Sequence, residues 1–443
     1  MSVLVREYAT LTCDASRDSS MDLGVVSPAT FDWLLELQQS WKGKADLLAY
    51  QGKNHLKLCS YIGYLQSPTG EGIEILPKTA RDAPCTPDHL RNLLQRMLRV
   101  ALGVRSREAN AAELLAMKQP LHEWVLRQFL SELADLIRRG LRFDYQTIDD
   151  ECAFVRGRLD MNRQLRQTPD KAAKFNVSYA EFTPQRLENR LIRTALDAVL
   201  RVTQSSDNWR LANTLRQQMA SIEPIQDPLK LFHRWADNKM LVAYRQIRPW
   251  CRLILEKLNP NFQKGQHQGI ALLFPMEQLY ESYLGHCLRG QMQLGWKLTP
   301  QAKRQHLLSH IPPDTTYEQN WFALKPDFLV QQDQMSYVLD AKWKLLDQFK
   351  LTSEHKYGID QGDLYQMFAY GHKYLAGRGN LMLIYPQHQD FTRPLPVFRF
   401  DNEFELWCVP FNLNEGVLVA GDWEGSFACF KPAAALGAIR RAS

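Results

Sequence analysis

The chain carries no Gly-x4-Gly-Lys-Ser/Thr run anywhere in its 443 residues, so any nucleotide hydrolysis coupled to it must come from a partner. Its 8 cysteines, at positions 13, 59, 85, 152, 251, 287, 408 and 429, include no Cys-x-x-Cys pair. That argues against a zinc ribbon or a disulfide framework and suits a reducing cytosol, so a cytoplasmic protein is expected. No apolar run approaches the roughly 18–20 residues of a membrane helix. The opening MSVLVREYATLTCDAS lacks a basic region followed by a long apolar core, so no secretory signal is expected. His306 and His310 stand four apart, but HLLSH lacks a zincin glutamate and no third ligand is in view. His372 reads as a helix-surface histidine rather than a general base. With 54 basic against 48 acidic side chains, the net charge of +6 permits nucleic-acid binding without demonstrating it.

What the chain does contain is a change of pattern along its length. Residues 1 to about 88 offer short strand-like runs, LLAYQG, HLKLCSYIGYLQ and GIEILPK, separated by Gly, Pro, Ser and Asn. One helix interrupts them, capped at Ser27-Pro28, and a small barrel or sandwich is expected. From Thr86 the spacing turns helical, through Leu90, Leu93, Leu94, Met97 and Leu98, then from Leu114 to Ile137. Arg91, Arg96, Arg99, Arg105 and Arg107 read mainly as a solvated face, with a partner or nucleic-acid contact as the alternative. FVRGRLDMNRQLRQT gives a short strand and the most basic loop, in which Arg156 and Arg158 are candidate phosphate contacts. Ion pairs of this loop with Glu181 and Glu188 are an equally good reading. A strand in KFNVSYAEFT and a helix from Thr183-Pro184 to Leu200 follow, then helices near Asn208–Ile222, Pro228–Asp237 and Asn238–Lys257. Asn259 to Gly269 reads as a linker.

The chemistry concentrates between Glu281 and Tyr374. The runs Phe322–Val330 and Tyr337–Trp343 flank a polar QQDQ turn and predict a β-hairpin. Pro326-Asp327 lies within the first run, and Asp340-Ala341-Lys342 ends the second. Side chains alternate along a strand, so Asp340 and Lys342 share a face, with Asp327 able to come alongside from the partner strand. Two acids beside a lysine make a hard-oxygen site suited to magnesium. Such a site can activate water and stabilise charge on a phosphoryl oxygen. A solvated surface hairpin is the plain alternative, but an acid ending the apolar SYVLDAKW strand is costly to bury unpaired. Upstream, FPMEQLYESYL predicts a helix from Pro275 with Glu277 and Glu281 one turn apart. Downstream, Asp363 is expected to cap a helix through Tyr374 that places Gln366 and Tyr370 on one side, where they could touch DNA. LMLIYP, PLPVFRF and FELWCVPF read as strands completing a sheet, and Ala433–Ser443 as a frayed basic tail.

The KPD…DAK pattern on a hairpin resembles the PD-(D/E)xK nucleases, with Asp327, Asp340 and Lys342 in the motif positions and Glu281, before Glu277, as the extra acid from the preceding helix. More specifically, GRLD, YAEFTPQRLENRLIRTAL, FPMEQLYESYL, KPDFLV…YVLDAKWK, DLYQMFAYGHKY and LMLIYP, in that order, resemble the McrC family. Members are nuclease subunits of McrBC-type, modification-dependent (type IV) restriction systems. The resemblance implies a multidomain α/β fold: a β-rich module (1–88), a mainly helical middle (89–262), and a nuclease domain (263–443) with a central mixed sheet flanked by helices. It implies a Mg²⁺-dependent phosphodiester hydrolase, with Asp327, Asp340 and Glu281 as metal ligands, that works on DNA with modified cytosine. The partner implied is a McrB-like AAA+ GTPase hexamer, which binds the GTP, with the segment 106–255 as the region of contact. Two cuts are needed for a double-strand break, so dimerised nuclease domains are expected. The alternatives are a nuclease of another defence system with a different ATPase, or a GTPase-stimulating scaffold with weak cutting.

Overall fold

The computed structural model describes residues 2–41, 46–52, 54–79, 86–104, 119–258, 269–313, 315–400 and 404–431. Arg105, Arg107, Leu114, the linker around Asn259–Gly265 and the tail from Ala433 lie outside the described residues. The chain divides into two compact units: Met1–Gly63, Glu71–Ser106 and Leu273–Ser443 form the first, Tyr64–Gly70 and Arg107–Leu272 the second.

The N-terminus is strand-rich as expected: β1 (Ser2–Arg6), β2 (Thr10–Thr12), β3 (Leu23–Val25), β4 (Leu48–Gly52), β5 (His55–Leu58), β6 (Tyr61–Gln66) and β7 (Gly72–Leu76). Helix α1 (Pro28–Ser40) interrupts them, and the Ser27 side chain caps it by accepting from Thr30 N. These strands do not close into a barrel. One sheet runs β3-β2-β5-β4; the other runs β1-β7-β6 and is completed by β11 (Ile270–Pro275). The chain passes between the units along β6 and β11.

Helix α2 (Pro87–Ala101) belongs to the first unit. Two of its arginines serve the structure. Arg91 pairs with buried Glu74 at 2.6 Å, and Arg96 donates to the Leu413 and Asn414 carbonyls at 2.7 and 2.8 Å.

The second unit contains α3 (Leu121–Arg139), β8 (Asp144–Cys152), β9 (Arg158–Leu159), α4 (Met161–Leu165), β10 (Phe175–Thr183), α5 (Leu187–Val202), α6 (Ser206–Gln218), α7 (Pro228–Phe232) and α8 (Ile247–Leu253). Its helices meet around Trp124 and Trp250, ring centroids 5.6 Å apart. Strand β8, absent from the sequence reading, pairs along nine residues with β10 in an antiparallel β8-β10-β9 sheet. DYQTIDDEC has no apolar alternation to announce it, because nearly all of β8 is exposed; its partner strand, not its own core, fixes it.

The first unit ends in α9 (Met276–Gln291), β12 (Lys297–Pro300), β13 (Gln305–His310), β14 (Gln319–Leu324), β15 (Phe328–Gln332), β16 (Met335–Ala341), α10 (Gln361–Leu375), β17 (Gly379–Pro386), β18 (Phe398–Phe400), β19 (Phe404–Asn412) and β20 (Val417–Leu418). The sheet order is β12-β15-β16-β17-β19-β18, with β20 beside β19. It is mixed: β16, β17 and β19 run parallel, while β12, β15 and β18 pair antiparallel with their neighbours. A glycine seats each flanking helix. A Cβ on Gly285 of α9 would meet the Phe328 ring at 2.7 Å, and one on Gly371 of α10 would meet the Phe404 ring at 2.7 Å. Leu329, Val338, Leu381 and Leu383 share a core with Met367 and Tyr370 of α10. Phe328 and Leu329 point to opposite faces, so α9 and α10 cover opposite sides of the sheet.

Candidate active site

The expected hairpin forms between β15 and β16, turning at Asp333-Gln334 with Gln332 opposite Met335. Its first strand is shorter than the sequence suggested. Phe322 and Leu324 belong to β14, which pairs with β13 in a separate hairpin, and β15 begins only at Phe328. Pro326 lacks the N–H that a continuous ladder would need, so Lys325-Pro326-Asp327 forms a break instead. This also places His306 and His310 on a strand, where His310 packs against Trp321 at 4.5 Å.

The register carries Asp327 to Asp340. The last ladder pair is Phe328 with Leu339, so the next step sets Asp327 opposite Asp340. Asp327 Oδ2 accepts from Ala341 N at 2.8 Å, which holds the acid against the end of β16. Asp340 is almost completely enclosed, at 1% exposure. Lys342, two residues on, brings Nζ to 2.7 Å from Asp340 Oδ2. Asp327, Asp340 and Lys342 have the strand parity of Leu329 and Val338, so they face α10.

Helix α10 supplies the rest of the setting. Lys342 Nζ donates to Gln366 Oε1 at 2.8 Å, and Gln366 Nε2 donates to the Tyr370 hydroxyl at 2.8 Å. The two residues of the DNA-contact expectation therefore orient the lysine and each other. The helix cap differs from expectation: Asp360 accepts from Gly362 N, and Asp363 lies in the first turn. Asp363 is instead drawn to two lysines, with Oδ2 at 2.8 Å from Lys344 Nζ and Oδ1 at 3.6 Å from Lys342 Nζ. Lys342 and Lys344 follow the end of β16, and Asp363, in the first turn of α10, lies within reach of both.

Glu281 approaches from α9. It accepts from Gln301 Nε2 at 2.8 and 3.0 Å, while Gln301 N donates to the Asp327 carbonyl at 2.9 Å. Glu277 is exposed and lies away from this cluster, near Glu7. Arg156 and Arg158 are in the second unit, where Arg156 stacks over Tyr179 at 4.0 Å and Arg158 is part of β9. The ion pairs of that loop run from Arg163 to Asp149 and Asp160, and Glu188 pairs with Arg186 instead.

The electrostatics are those of acids in excess. Burial, then the charges of Asp340 and Glu281, push the Asp327 carboxyl up to about 8. Burial also raises Asp340, against the pull of Lys342. Burial works against the Lys342 charge, but Asp340, Asp363 and Asp327 outweigh it and raise its ammonium above the usual lysine value. Carboxylates that repel one another where water is scarce fit a hard divalent cation, which would relieve the repulsion. Among the described residues no three His, Cys, Asp or Glu side chains close on a single point as a finished metal cage. Magnesium is commonly held by one or two carboxylates plus waters, and Asp327 with Asp340 meets that description.

Sequence reasoning missed Asp363 as a shared acid, Gln301 as the tie to Glu281, and Glu7. Glu7, fully buried, accepts from Trp343 Nε1 at 2.7 Å and from Lys78 N at 2.7 Å. Burial pushes its carboxyl up to about 7. No local signal joins residues 7 and 343.

The sequence model of a family described as "McrBC 5-methylcytosine restriction system component" matches residues 56–386. A solved half-complex of Thermococcus gammatolerans McrB AAA+ hexamers with bound McrC contains a chain of the same fold, with TM-score 0.66 and 17% identity over 99% of this chain and 100% of that one. A chain of the Thermococcus gammatolerans McrBC complex matches with TM-score 0.50 and 21% identity, covering 65% of this chain and 87% of that chain. No curated protein matches.

Proposed function

This chain belongs to the family of McrBC 5-methylcytosine restriction system components, and we propose that within such a system it is the DNA-cutting subunit. The observation that supports this best is the Asp327–Asp340–Lys342 cluster: two opposed acids and a lysine, enclosed at the end of β16. Buried acids with raised affinity for protons, beside a held cation, are arranged for reaction rather than for stability.

The reaction is hydrolysis of a phosphodiester in double-stranded DNA. Asp327 and Asp340, with Glu281 assisting, would hold Mg²⁺, which when bound lowers the pKa of a water and offsets charge on the phosphoryl oxygens. Lys342 orients the attacking water and balances the added negative charge of the transition state. Gln366, held by Tyr370, fixes the Lys342 ammonium, so the lysine need not reorganise during the reaction. Asp340, and after it Asp363, keep that lysine charged.

The partner in this reading is a McrB-like AAA+ GTPase hexamer, as in the solved complexes of similar fold. This chain has no P-loop of its own. The second unit, with exposed Tyr145 and Phe182 on its sheet, is the proposed seat for that ring. Cytosine-modified DNA is the proposed substrate and the cytosol the proposed site of action. Paired nuclease domains would make both cuts.

The test separates cutting from stimulation. Asp340→Ala, assembled with the partner, should lose DNA cleavage yet stimulate GTP turnover like the wild type. If it loses both while still assembling, the assignment of the two tasks to different parts of the chain is wrong. If the scaffold reading holds instead, the wild-type assembly will turn over GTP without cutting.

A further inference from the structure

We infer that the cavity beside Lys342 is a nucleotide pocket, which takes the base and phosphate of the DNA residue flanking the cut. The inference rests on the nuclease reading and adds a binding site to it. The cavity is about 400 Å³, within the range of small-molecule sites, and is lined by Tyr8, Lys78, Trp343, Lys344, Leu345 and Pro386. Three of these follow Lys342 directly in the chain, and Pro386 ends β17, the strand next to β16.

One carboxylate links the cavity to the catalytic cluster. Asp363 reaches Lys344, on the cavity wall, at 2.8 Å and Lys342 at 3.6 Å. Trp343 and Pro386 have the strand parity opposite to Lys342, so the cavity opens around the end of β16 with Lys344 on the side of Lys342. A DNA strand whose phosphate sits at Lys342 would bring its neighbouring nucleotide to it. The lining suits that occupant. Tyr8, 40% exposed as a residue, offers an aromatic ring, and Leu345 and Pro386 are further apolar walls. Lys78 and Lys344 supply cations from opposite ends of the sequence. Each already has an acid nearby, Asp22 at 3.6 Å and Asp363 at 2.8 Å, which holds it in place. An aromatic face next to fixed ammonium groups is the usual chemistry for one stacked base and its phosphate.

The walls are also set in advance. Trp343 is fixed by its hydrogen bond to buried Glu7, and Glu7 is fixed in turn by Lys78 N. Glu7 Oε2 has no hydrogen-bond partner among the described residues. Tyr8 itself has φ 63°, a left-handed backbone that a bulky residue adopts at a cost. Strain held at a cavity rim, beside a tryptophan that a buried acid holds in place, fits a site whose geometry is kept for a ligand.

The experiment uses the full chain with Ca²⁺ in place of Mg²⁺ and a set of duplexes carrying one abasic position moved along the cleavage region. Binding is read by fluorescence polarisation. Wild type should lose roughly tenfold in affinity at a single abasic position, the value of one lost stacking contact. Tyr8→Gly, which suits the positive φ, should bind the intact duplex about as weakly as wild type binds that abasic one, and should no longer sense the position. Lys78→Gln, which keeps the backbone bond to Glu7, should weaken binding at every position alike. An affinity that is indifferent to every abasic position overturns the pocket, as does Tyr8→Gly binding like wild type. Free deoxynucleoside monophosphate displacing the duplex at equal concentration would show that the occupant is a free nucleotide and overturn the in-strand assignment. Cleavage by wild type with Mg²⁺, the McrB-like partner and GTP is scored in parallel, so a failed pocket with intact cutting leaves the nuclease reading standing.

Discussion

Lys342 is the residue on which the account depends most. It is held by Asp340, Gln366 and Asp363 at 2.7, 2.8 and 3.6 Å, which fixes its ammonium beside the two acids. Lys342→Ala should slow cleavage by at least about a hundredfold, a far larger loss than the one phosphate contact it removes from DNA binding in Ca²⁺; polarisation and plasmid nicking measure the two. Asp327 gives a prediction in pH. Its carboxyl is pushed from 3.8 up to about 8 in the fold, so without metal the folded state binds that proton more tightly than the unfolded chain. The stabilisation is complete below pH about 4 and is lost as pH rises through about 8. Asp327→Asn keeps an oxygen for Ala341 N and removes the charge. At pH 9, metal-free, it should be more stable than wild type by on the order of 1–3 kcal/mol, and the gap should close near pH 4. Added Mg²⁺ should stabilise wild type and not this variant. Urea melts at the two pH values, with and without metal, check all three statements. The Asp340–Lys342 pair could be read from the sequence because strand alternation places residues two apart on one face. Asp363 and Glu7 could not, since their partners arrive from other elements, up to 336 positions away.

Helices α9 and α10 hold the site by lying close on the two faces of the sheet. Alanine at Gly285 or Gly371 would gain up to about 1 kcal/mol of helix propensity. Its Cβ, however, would stand 2.7 Å from a Phe328 or Phe404 ring atom, and overpacking of that kind costs typically 1–3 kcal/mol. Both variants should be less stable in denaturant titration, and Gly371→Ala should also lower the cleavage rate by displacing Gln366. Equal or greater stability would mean the helices are not seated as described. Most elements announced themselves in the sequence: α1 through its Ser27 cap, α9 through Pro275, the β15–β16 hairpin through its polar turn. The errors have physical causes. Phe322–Val330 looked like one apolar strand, and the proline inside it was the signal that it breaks. Asp363 looked like the α10 cap, but Asp360 three residues earlier does that work and leaves Asp363 to the lysines. Strand β8 lacks apolar alternation because it is exposed along most of its length.

At the scale of the whole chain, the first unit gathers residues from both ends of the sequence, and the second lies between them. Two observations make this one fold rather than a module placed beside a domain. β11 completes a sheet begun by β1, and Glu7 hydrogen-bonds the tryptophan next to Lys342. Linear reading placed the strand-rich and helical stretches, but a sheet edge closed by a strand about two hundred residues away has no local signature. Trp343→Phe, which leaves Glu7 Oε1 only the Lys78 N–H, should cost about 1–3 kcal/mol and weaken cleavage together with stability. The most direct test of the central claim is plasmid cleavage in Mg²⁺ by wild type and Lys342→Ala, with and without a McrB-like partner and GTP, on methylated and unmethylated DNA. The account predicts cutting only by wild type with partner and GTP, and on methylated DNA in preference. Equal cutting by Lys342→Ala would contradict it.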